Sequence, residues 1–436
     1  MINRIKNRLV RTYHTVKYRE FEKKVREFYL NKYSINNKSI DYLLSVALKN
    51  AIENVQFYNG YKPELAKFPI IDKSTYQKYG ERLFLHKNSH LMGCYKMNTG
   101  GSTGEPFEFY RDVRTGIVDN IHQKYQHLKM GFNDNDKLIV FNGCDITKKN
   151  LDEDIYWNIK SSRELPFGSV EFSTHYLNIN TIKYYLEKLI SLDVSFVRAY
   201  PSAMCEFTSL LLQLGYKSMP FTLRGIQLSS EVCSDSQLKM LQEYWGKDTI
   251  YFQYGHSEAA TIAAQYPGED GYIFSPYYGL VEILDDSGKP VKKGEVGKVV
   301  VTSFHNFARP IIRYDTGDMA LLSNETNSIV KVEKILGREQ DYVVDKEGNK
   351  ISVTSLVFGQ HFKAFKNITN WQIVNDTKGV LHVKIIPSNR WNELNEKEII
   401  DKLSFSDRFK VTLSYVQSIE KTKSGKNRLV IGECDE

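Results

Sequence analysis

Between residues 137 and 253 the chain alternates short apolar runs with longer segments of helical periodicity. This alternation constrains the fold more than any other feature, because each helix must bury one apolar stripe against a sheet. The apolar runs predict buried strands at residues 137–141, 194–199, 225–228 and 249–253. The periodic segments predict helices at residues 181–192, 202–214 and 236–245. The expected class is therefore α/β.

Downstream of residue 278 the pattern changes to short strand-like runs. Asp-Ser-Gly and Lys-Glu-Gly turns at residues 286–288 and 346–348 separate several of them. The C-terminal part combines strand-like runs at residues 371–374 and 380–386 with a charged helical segment at 395–403. This composition predicts a small α+β module with its own core. A chain of 436 residues is long enough for two or three domains and for a large core without disulfides.

Basic residues are concentrated in an N-terminal arm, residues 1–33. The formal net charge is +7, and the arm alone holds ten basic and three acidic residues, so the rest of the chain is neutral. Apolar residues in the arm recur every three or four positions, which predicts an amphipathic helix. Two interpretations stay open: the arm attaches to an anionic membrane surface or acidic partner, or it packs on the main domain. The neutral body predicts no nucleic-acid partner.

The sequence also bears on the compartment. No apolar run approaches the roughly 18 residues that span a bilayer, and the N-terminal residues lack the apolar core of a signal peptide. Five scattered cysteines without a Cys-x-x-Cys pair fit a reducing compartment and predict neither a disulfide framework nor a zinc knuckle. We therefore expect a cytoplasmic protein, monomer or homodimer, with peripheral contact at the inner membrane face as the alternative role of the arm.

The strongest local motif is a glycine- and hydroxyl-rich loop, Asn-Thr-Gly-Gly-Ser-Thr-Gly-Glu-Pro, at residues 98–106. Such a loop presents backbone N–H and hydroxyl groups to an anion, which suits phosphate. It lacks the Gly-Lys-[Ser/Thr] ending of a Walker A loop, so P-loop NTPase chemistry is disfavoured. A flexible surface turn is the alternative interpretation.

Two further motifs bring carboxylates to the ends of predicted strands. The sequence Tyr-Gly-His-Ser-Glu at residues 254–258 places Glu258 where it can hold Mg²⁺, and Tyr254 where its ring can lie against a base. Asp318, in a Gly-Asp pair predicted as a turn, can accept hydrogen bonds from both hydroxyls of a ribose. A solvated surface glutamate and an ordinary hairpin aspartate are the alternatives.

The last two motifs are a charged segment, Leu-Gly-Arg-Glu-Gln-Asp at residues 336–341, and a basic loop at residues 420–428. The first is typical of a turn between strands. The second contains Lys426 directly after a Ser-Gly pair, which suits a mobile lysine directed at negative charge. A solvated basic tail is the alternative interpretation of this loop.

Together and in this order, the five motifs resemble those of the AMP-forming adenylating superfamily, the acyl-coenzyme A synthetases. The resemblance is to the phenylacetate–coenzyme A ligase-like branch, which includes members associated with capsular polysaccharide synthesis, and it extends from residue 54 to residue 430. It implies a large N-terminal domain of β-sheets packed with helices at residues 1–336. It also implies a hinge at residues 337–341 and a small mobile C-terminal α+β domain at residues 342–436.

The resemblance implies roles for individual residues. The ATP phosphates would be bound by the loop residues Thr99, Gly100, Gly101, Ser102, Thr103 and Gly104, with Thr99 also catalytic. AMP would contact Ser230, Glu231, Tyr254, Gly255, Ser257, Asp318 and Arg338. Glu258 would hold Mg²⁺, and Lys426 would reach the carboxylate and the α-phosphate. The acyl pocket would include Tyr200, Pro201, Ser202 and His256, and the hinge would pivot at Gln340 and Asp341.

Two departures from the family pattern carry expectations of their own. Relatives usually have Gly-Arg-x-Asp-Asp at the hinge, whereas here Gln340 replaces the first aspartate and Asp341 keeps the second. Some relatives have a cluster of Cys and His suited to zinc after the Tyr-Gly-x-x-Glu motif. Residues 259–274 contain neither, so we expect no zinc there. His256 and His305 fit positioning or structural roles better than the role of a general base.

The implied reaction is ATP-dependent activation of a carboxylic acid as an acyl-adenylate, with release of pyrophosphate, followed by acyl transfer to a thiol such as coenzyme A. ATP, Mg²⁺ and coenzyme A are the expected cofactors, and a small carboxylic acid is the expected substrate. One alternative keeps adenylation but transfers the acyl group to an amine or hydroxyl of a sugar. Another is a non-catalytic scaffold in polysaccharide assembly, which has no need for Glu258, Asp318 and Lys426 together.

Overall fold

The computed structural model describes residues 18–98, 108–133, 135–159, 168, 170–326, 328–338, 342–353, 364–388, 390–404, 408–421 and 427–432. Its α-helices are α1 (Arg19–Leu30), α2 (Asn37–Asn54), α3 (Lys73–Tyr79), α4 (Glu81–Phe84), α5 (Val113–Lys129), α6 (Lys148–Asp152), α7 (Ile182–Leu192), α8 (Pro201–Gln213), α9 (Asp235–Trp245) and α10 (Glu393–Ser404). None of these helices is both long and apolar enough to cross a bilayer.

In the middle of the chain the strands alternate with helices. In the later part, from β8 to β16, the strands follow one another without α-helices between them among the described residues. The first ten are β1 (Tyr95–Asn98), β2 (Glu108–Arg111), β3 (Leu138–Asn142), β4 (Trp157–Ile159), β5 (Val170–Ser173), β6 (Phe196–Ala199), β7 (Gly225–Ser229), β8 (Ile250–Gly255), β9 (Ile262–Gln265) and β10 (Tyr272–Phe274). The others are β11 (Gly279–Leu284), β12 (Val296–Ser303), β13 (Tyr314–Thr326), β14 (Ile329–Arg338), β15 (Tyr342–Val344), β16 (Lys350–Ser352), β17 (Ile368–Thr377), β18 (Val380–Pro387), β19 (Lys410–Tyr415) and β20 (Val430–Ile431).

The chain folds into two compact units, each assembled from two stretches of sequence. The first unit comprises Met1–Asn133 and Phe252–Ile335, and the second comprises Asp134–Tyr251 and Leu336–Glu436. Residues far apart in the sequence therefore share a core in both units, which matters for the candidate site because its motifs are scattered along the whole chain.

The first unit contains a largely antiparallel sheet in the order β11-β12-β13-β14-β10-β9-β8. Buried and partly exposed residues alternate along β11, the pattern of a strand with one covered face. Val281 and Ile283 of this strand belong to the same apolar core as Leu48 and Ala51 of helix α2. The sheet is thus backed by helices, as expected for the predicted class.

Helix α1 forms the second half of the basic arm, and it packs on the first unit. Val25, Phe28 and Tyr29 are buried in a core shared with residues of helix α5. Glu22, one turn before Val25, accepts a hydrogen bond from Lys124 of the same helix α5 at 2.9 Å. The packing interpretation therefore holds for residues 19–30, while residues 1–17 lie outside the described residues.

Two histidines are enclosed beneath this helix. His305 is fully buried, with Nε2 2.8 Å from the carbonyl oxygen of Tyr277 and Nδ1 3.2 Å from the hydroxyl of Tyr18. A carbonyl only accepts, so Nε2 carries the proton and Nδ1 accepts from the Tyr18 hydroxyl. Burial lowers the pKa of His305 to about 4 and holds that of His122 well below its ordinary value. Both rings are therefore neutral parts of the core.

The pKa of His305 predicts a pH dependence of stability. Between about pH 6.5 and pH 4 the unfolded chain binds a proton at this ring that the folded chain does not. The free energy of unfolding therefore decreases as the pH is lowered through this range, by up to about 3 kcal/mol. His305→Gln should therefore lose less stability than the wild type on going from about pH 7 to pH 5 in urea unfolding. The control is His90→Gln, at an exposed position. Equal losses in His305→Gln and the wild type would contradict the assignment.

The second unit contains a parallel sheet with helices between its strands. The order is β7-β6-β3-β5-β4, in which β7, β6, β3 and β5 are parallel and β4 is antiparallel to β5. Four of the five residues of β3 are buried, and Phe141 lies 5.2 Å, ring to ring, from Phe207 of helix α8. Parallel strands end at a common edge, which is where such sheets place their ligand-binding residues. The predicted α/β class is confirmed.

The same unit includes the C-terminal α+β module. Its sheet has the order β19-β18-β17-β20, with β17 antiparallel to β18 and β18 parallel to β19. Ile373, Leu381 and Val383 of this sheet share a core with Ile399 and Leu403 of helix α10. The C-terminal module predicted from the sequence is thus present, with its own apolar core.

Candidate functional site

In the first unit, the predicted adenine and ribose residues contact each other. The hydroxyl of Tyr254, near the end of β8, donates to Oδ2 of Asp318 at 2.6 Å. Asp318 lies inside the long strand β13 rather than in the turn that the Gly-Asp pair predicts. Gly317 has φ of +74°, a conformation that glycine adopts without strain, and the pairing of β12 with β13 shifts register between Lys298 and Val300. This irregularity marks the stretch of strand that carries the Asp318 carboxylate.

The second carboxylate of the first unit is Glu258, three residues after β8. It is buried, with Oε2 3.3 Å from Nδ1 of His256 and Oε1 3.5 Å from the hydroxyl of Tyr314. Burial by itself raises the pKa of this carboxyl. The adjacent His256 and the charge of Arg309 have the larger, opposite effect and lower the pKa to about 2. Glu258 is therefore ionised at neutral pH although it is shielded from water.

The remaining predicted residues of this stretch frame the carboxylate. Gly255 is the last residue of β8 and pairs with Ile262 of β9. The carbonyl oxygen of Ser257 lies 3.4 Å from a guanidinium nitrogen of Arg111, on strand β2. Strand β2 pairs with β1 from Asn98 opposite Glu108, and the glycine-rich loop is the sequence between these two strands. The structure therefore brings the strand that follows this loop next to the Tyr-Gly-His-Ser-Glu motif.

Arg309, for which the sequence predicts no role, carries a charge that acts on Glu258. The guanidinium of Arg309 is fully buried, with Nε 2.7 Å from Oε1 of Glu81 and its centre 4.0 Å from the ring of Tyr76. The ring of Phe109, on strand β2, is 5.5 Å away. Burial raises the pKa of Glu81, and the charge of Arg309 offsets part of that effect. The sequence predicted no role for Arg309 or for Glu81, which are 228 positions apart in the chain.

In the second unit, Glu231 and Ser202 come together at the carboxyl edge of the parallel sheet. The carboxylate of Glu231 accepts hydrogen bonds from the backbone N–H of Ser202 at 3.1 Å and from its hydroxyl at 3.0 Å. These groups are at the N-terminus of helix α8, where a carboxylate is favoured by the orphan N–H groups and the helix dipole. Ser230, the residue before Glu231 in the sequence, has φ of +71°, a strained value for a residue other than glycine.

The predicted acyl-pocket residues begin the same helix. Tyr200 immediately precedes helix α8, and Pro201 is its first residue, a position that proline favours. Burial and the nearby charge of Glu231 raise the pKa of Tyr200 to about 12, so its hydroxyl stays protonated at neutral pH. His256, also assigned to the acyl pocket from the sequence, lies in the first unit beside Glu258.

The Glu231 carboxylate also contacts the basic C-terminal loop. The backbone N–H of Asn427 donates to Glu231 Oε1 at 2.8 Å. Lys421, paired with Asn427 in an isolated antiparallel bridge, directs its ammonium group to Glu206 Oε2 at 2.5 Å and to the carbonyl oxygen of Thr174 at 3.1 Å. Both ends of the segment between these residues are therefore held on the second unit.

Several predicted residues lie outside the described residues. They are Thr99, Gly100, Gly101, Ser102, Thr103, Gly104, Gln340, Asp341 and Lys426, together with the side chain of Arg338, whose backbone ends β14. Among the predicted residues that are described, Tyr254, Asp318, His256 and Glu258 group in the first unit. Ser202 and Glu231 group in the second.

The donors present suit Mg²⁺ only in part. An ionised carboxylate such as Glu258 fits this ion, which proteins usually hold through one or two carboxylates together with substrate phosphates. Within the described part of the chain, no cluster of three or more His, Cys, Asp or Glu side chains is arranged to hold a metal ion. The site thus fits an ion that arrives with a polyphosphate rather than one caged by protein ligands.

Comparison with solved structures shows which fold the chain has. The chain superposes on 2-hydroxyisobutyryl-CoA ligase in its postadenylation state with a TM-score of 0.67, at 16% identity, over 92% of this chain and 90% of the ligase. An open conformation of the same ligase gives a TM-score of 0.54 over 91% of each chain, also at 16% identity. The chain has the fold of an adenylate-forming CoA ligase, and the resemblance predicted from its motifs is confirmed.

Sequence comparisons identify one matching family model and two similar proteins. Residues 343–433 match the family model of the CapK C-terminal domain, which covers most of the C-terminal module. Protein CapK of Staphylococcus aureus is 23% identical over 382 residues, which are 84% of this chain and 79% of that protein. A phenylacetate-coenzyme A ligase of Thermus thermophilus is 37% identical over 81 residues, which are 17% of this chain and 18% of that enzyme.

Proposed function

We propose that this chain activates a carboxylic acid with ATP as an acyl-adenylate, releases pyrophosphate, and transfers the acyl group to a thiol such as coenzyme A. The observation that carries the proposal is the grouping of Tyr254, Asp318 and Glu258 in one unit, with the two side chains proposed for adenosine joined by a hydrogen bond. Three side chains suited to a base, a ribose and a metal-bound phosphate are thus brought into one unit of an adenylate-forming fold, although Asp318 is far from the other two in the sequence.

In this proposal ATP is bound by residues with separate tasks. The ring of Tyr254 lies against adenine, Asp318 accepts from the ribose hydroxyls with Arg338 assisting, and residues Thr99 to Gly104 donate to the phosphates. Ser230 and Glu231 border the adenine. Glu258 would hold Mg²⁺, which when bound offsets part of the negative charge of the phosphates.

The proposed reaction needs no nucleophile from the protein. A carboxylate oxygen of the acid attacks the α-phosphorus, the bond from that phosphorus to the bridging oxygen breaks, and its electron pair leaves with pyrophosphate. Lys426 and the N–H donors of the glycine-rich loop stabilise the charge that builds up on the phosphates. The thiolate of coenzyme A then attacks the acyl carbon, the carbon–oxygen bond to AMP breaks, and the thiol proton passes to solvent.

A second candidate shares the first half of this reaction. We propose as the alternative that the acyl group passes to an amine or hydroxyl of a sugar in capsular or surface polysaccharide biosynthesis. The similarity to Protein CapK over 84% of the chain supports this candidate only together with the resemblance to members associated with capsular polysaccharide synthesis. The two candidates are distinguished by measuring the loss of free coenzyme A thiol after adenylation. Loss of thiol in the same amount as AMP released supports the thioester, and AMP release without loss of thiol supports the other acceptor.

Tyr254→Phe tests the nucleotide site without a known acid. The substitution keeps the ring but removes the hydroxyl that donates to Asp318 at 2.6 Å. This hydrogen bond fixes the Asp318 carboxylate that is proposed to accept from the ribose hydroxyls, so we expect the Kd for Mg-ATP in isothermal titration to rise about tenfold when the carboxylate is no longer held. Tyr266→Phe is the control, since it removes a buried tyrosine hydroxyl of the same unit that lies 3.5 Å from the carbonyl oxygen of Gln126. An unchanged Kd in Tyr254→Phe would remove this site from nucleotide binding.

A further inference from the structure

We propose that Glu206 and Lys421 are positioning residues for the adenylation step, because their ion pair holds the start of the segment that carries Lys426. The proposal rests on the proposed function in one respect, the role of Lys426. The segment in question is residues 422–426, between Lys421 and Asn427.

The contact of Lys421 is stronger than an ordinary surface pair. The Lys421 side chain is 17% exposed and that of Glu206 is 30% exposed, so both charges are partly removed from water. The ammonium group also donates to the carbonyl oxygen of Thr174, at the edge where strand β5 ends. A pair that is partly buried and has a second hydrogen bond resists solvent and salt better than an exposed pair.

The other end of the segment is held by Glu231, and both anchors lead to helix α8. Glu231 accepts from the backbone N–H of Asn427 and from Ser202 in the first turn of that helix. Ser202 and Glu206 are four residues apart, so their side chains lie on one face of the helix. The antiparallel bridge between Lys421 and Asn427 brings the two ends of the segment together on this face.

This arrangement has a consequence for the reaction. A lysine side chain has a flexible four-carbon stem, so its ammonium group is placed only as well as the backbone that bears it. In general, fixing the residues on either side of a short segment lowers the entropic cost of placing a side chain that the segment carries. The ion pair should therefore assist adenylation and leave thioester formation from a preformed adenylate unaffected.

Charge exchange provides the test. Glu206→Lys and Lys421→Glu each place like charges together, whereas the double variant restores an ion pair in the opposite sense. Arg390→Glu is the matched control: it breaks the exposed contact of Arg390 with Glu243 of helix α9, another link between the C-terminal module and the helices of the same unit. Hydrogen–deuterium exchange of the peptide containing Asn427 reports whether the segment is held, independently of any substrate.

The expected result is that amide exchange at this peptide becomes about tenfold faster in each single variant, within the range of coupling between contacting charges, and returns close to wild type in the double variant. Single variants with the wild-type rate, or a double variant that does not recover, would overturn the proposal. Arg390→Glu should leave the rate unchanged.

Catalysis supplies the second readout, with phenylacetate as the probe acid and phenylacetyl-AMP as the probe adenylate. Pyrophosphate exchange should fall about tenfold in the single variants and recover in the double variant, while thioester formation from phenylacetyl-AMP and coenzyme A stays within about twofold. Equal losses in both half-reactions would overturn the positioning role. If the wild type supports no pyrophosphate exchange with phenylacetate or with any other carboxylic acid, the proposed function fails, and amide exchange alone then decides whether the ion pair holds the segment.

Discussion

Lys426→Ala is expected to lower the rate of acid-dependent ATP–pyrophosphate exchange by about 10²–10³-fold, the loss typical of removing one preorganised donor from a developing charge. The transition state concentrates negative charge on the phosphates, and in the proposed reaction Lys426 is the protein cation that approaches the α-phosphate. The neighbouring Asn427 is hydrogen-bonded to Glu231, in the stretch proposed to border the adenine, which supports this placement.

The control for this variant comes from the same loop. Lys423→Ala removes the same charge three positions earlier in the sequence and should retain pyrophosphate exchange within about threefold, since the proposed reaction assigns no task to this lysine. Acyl transfer from a preformed adenylate should be largely spared in Lys426→Ala. Exchange that survives in Lys426→Ala, or that is lost equally in Lys423→Ala, would exclude the assignment of Lys426.

Arg309→Met is expected to lower the free energy of unfolding by about 3–5 kcal/mol, because it leaves the buried carboxylate of Glu81 without its partner. Arg309 is fully buried and its guanidinium lies against the rings of Tyr76 and Phe109, so packing is lost together with the charge. The loss can be measured as a decrease in the urea concentration at the unfolding midpoint with an unchanged slope.

Two companion variants make the result specific. The double variant Glu81→Gln with Arg309→Met should recover part of the stability, because the neutral amide costs less to bury than an unpaired carboxylate. Lys23→Met breaks an exposed pair with Glu20 and should change the free energy of unfolding by less than about 1 kcal/mol. If Arg309→Met is as stable as Lys23→Met, Arg309 does not have the structural role assigned to it.

Local patterns in the sequence were sufficient to predict several regular elements of the second unit, although the strand Val170–Ser173 was not among them. The strand expected at residues 225–228 is Gly225–Ser229 in the structure, and the helix expected at residues 181–192 is Ile182–Leu192. Apolar periodicity is a property of neighbouring residues, and these elements bury their apolar faces in the ordinary way. The cap of helix α9 is equally local, since Ser234 and Gln237 form a capping box.

Long-range partners were not predictable in this way. The ion pairs of Arg309 with Glu81 and of Lys421 with Glu206 join residues more than two hundred positions apart, and only the topology of the two units brings them together. The backbone at Asp318 was wrongly predicted, because a Gly-Asp pair is typical of a turn, whereas here its glycine allows an irregular position within a long strand.

The most direct test of acid activation is ATP–pyrophosphate exchange by the intact chain against a panel of carboxylic acids, each with and without coenzyme A. We expect at least one acid to stimulate exchange, with no stimulation when the acid is omitted. Exchange that does not depend on an acid, or no exchange with any aliphatic, aromatic or hydroxy acid in the panel, would contradict the proposed formation of an acyl-adenylate.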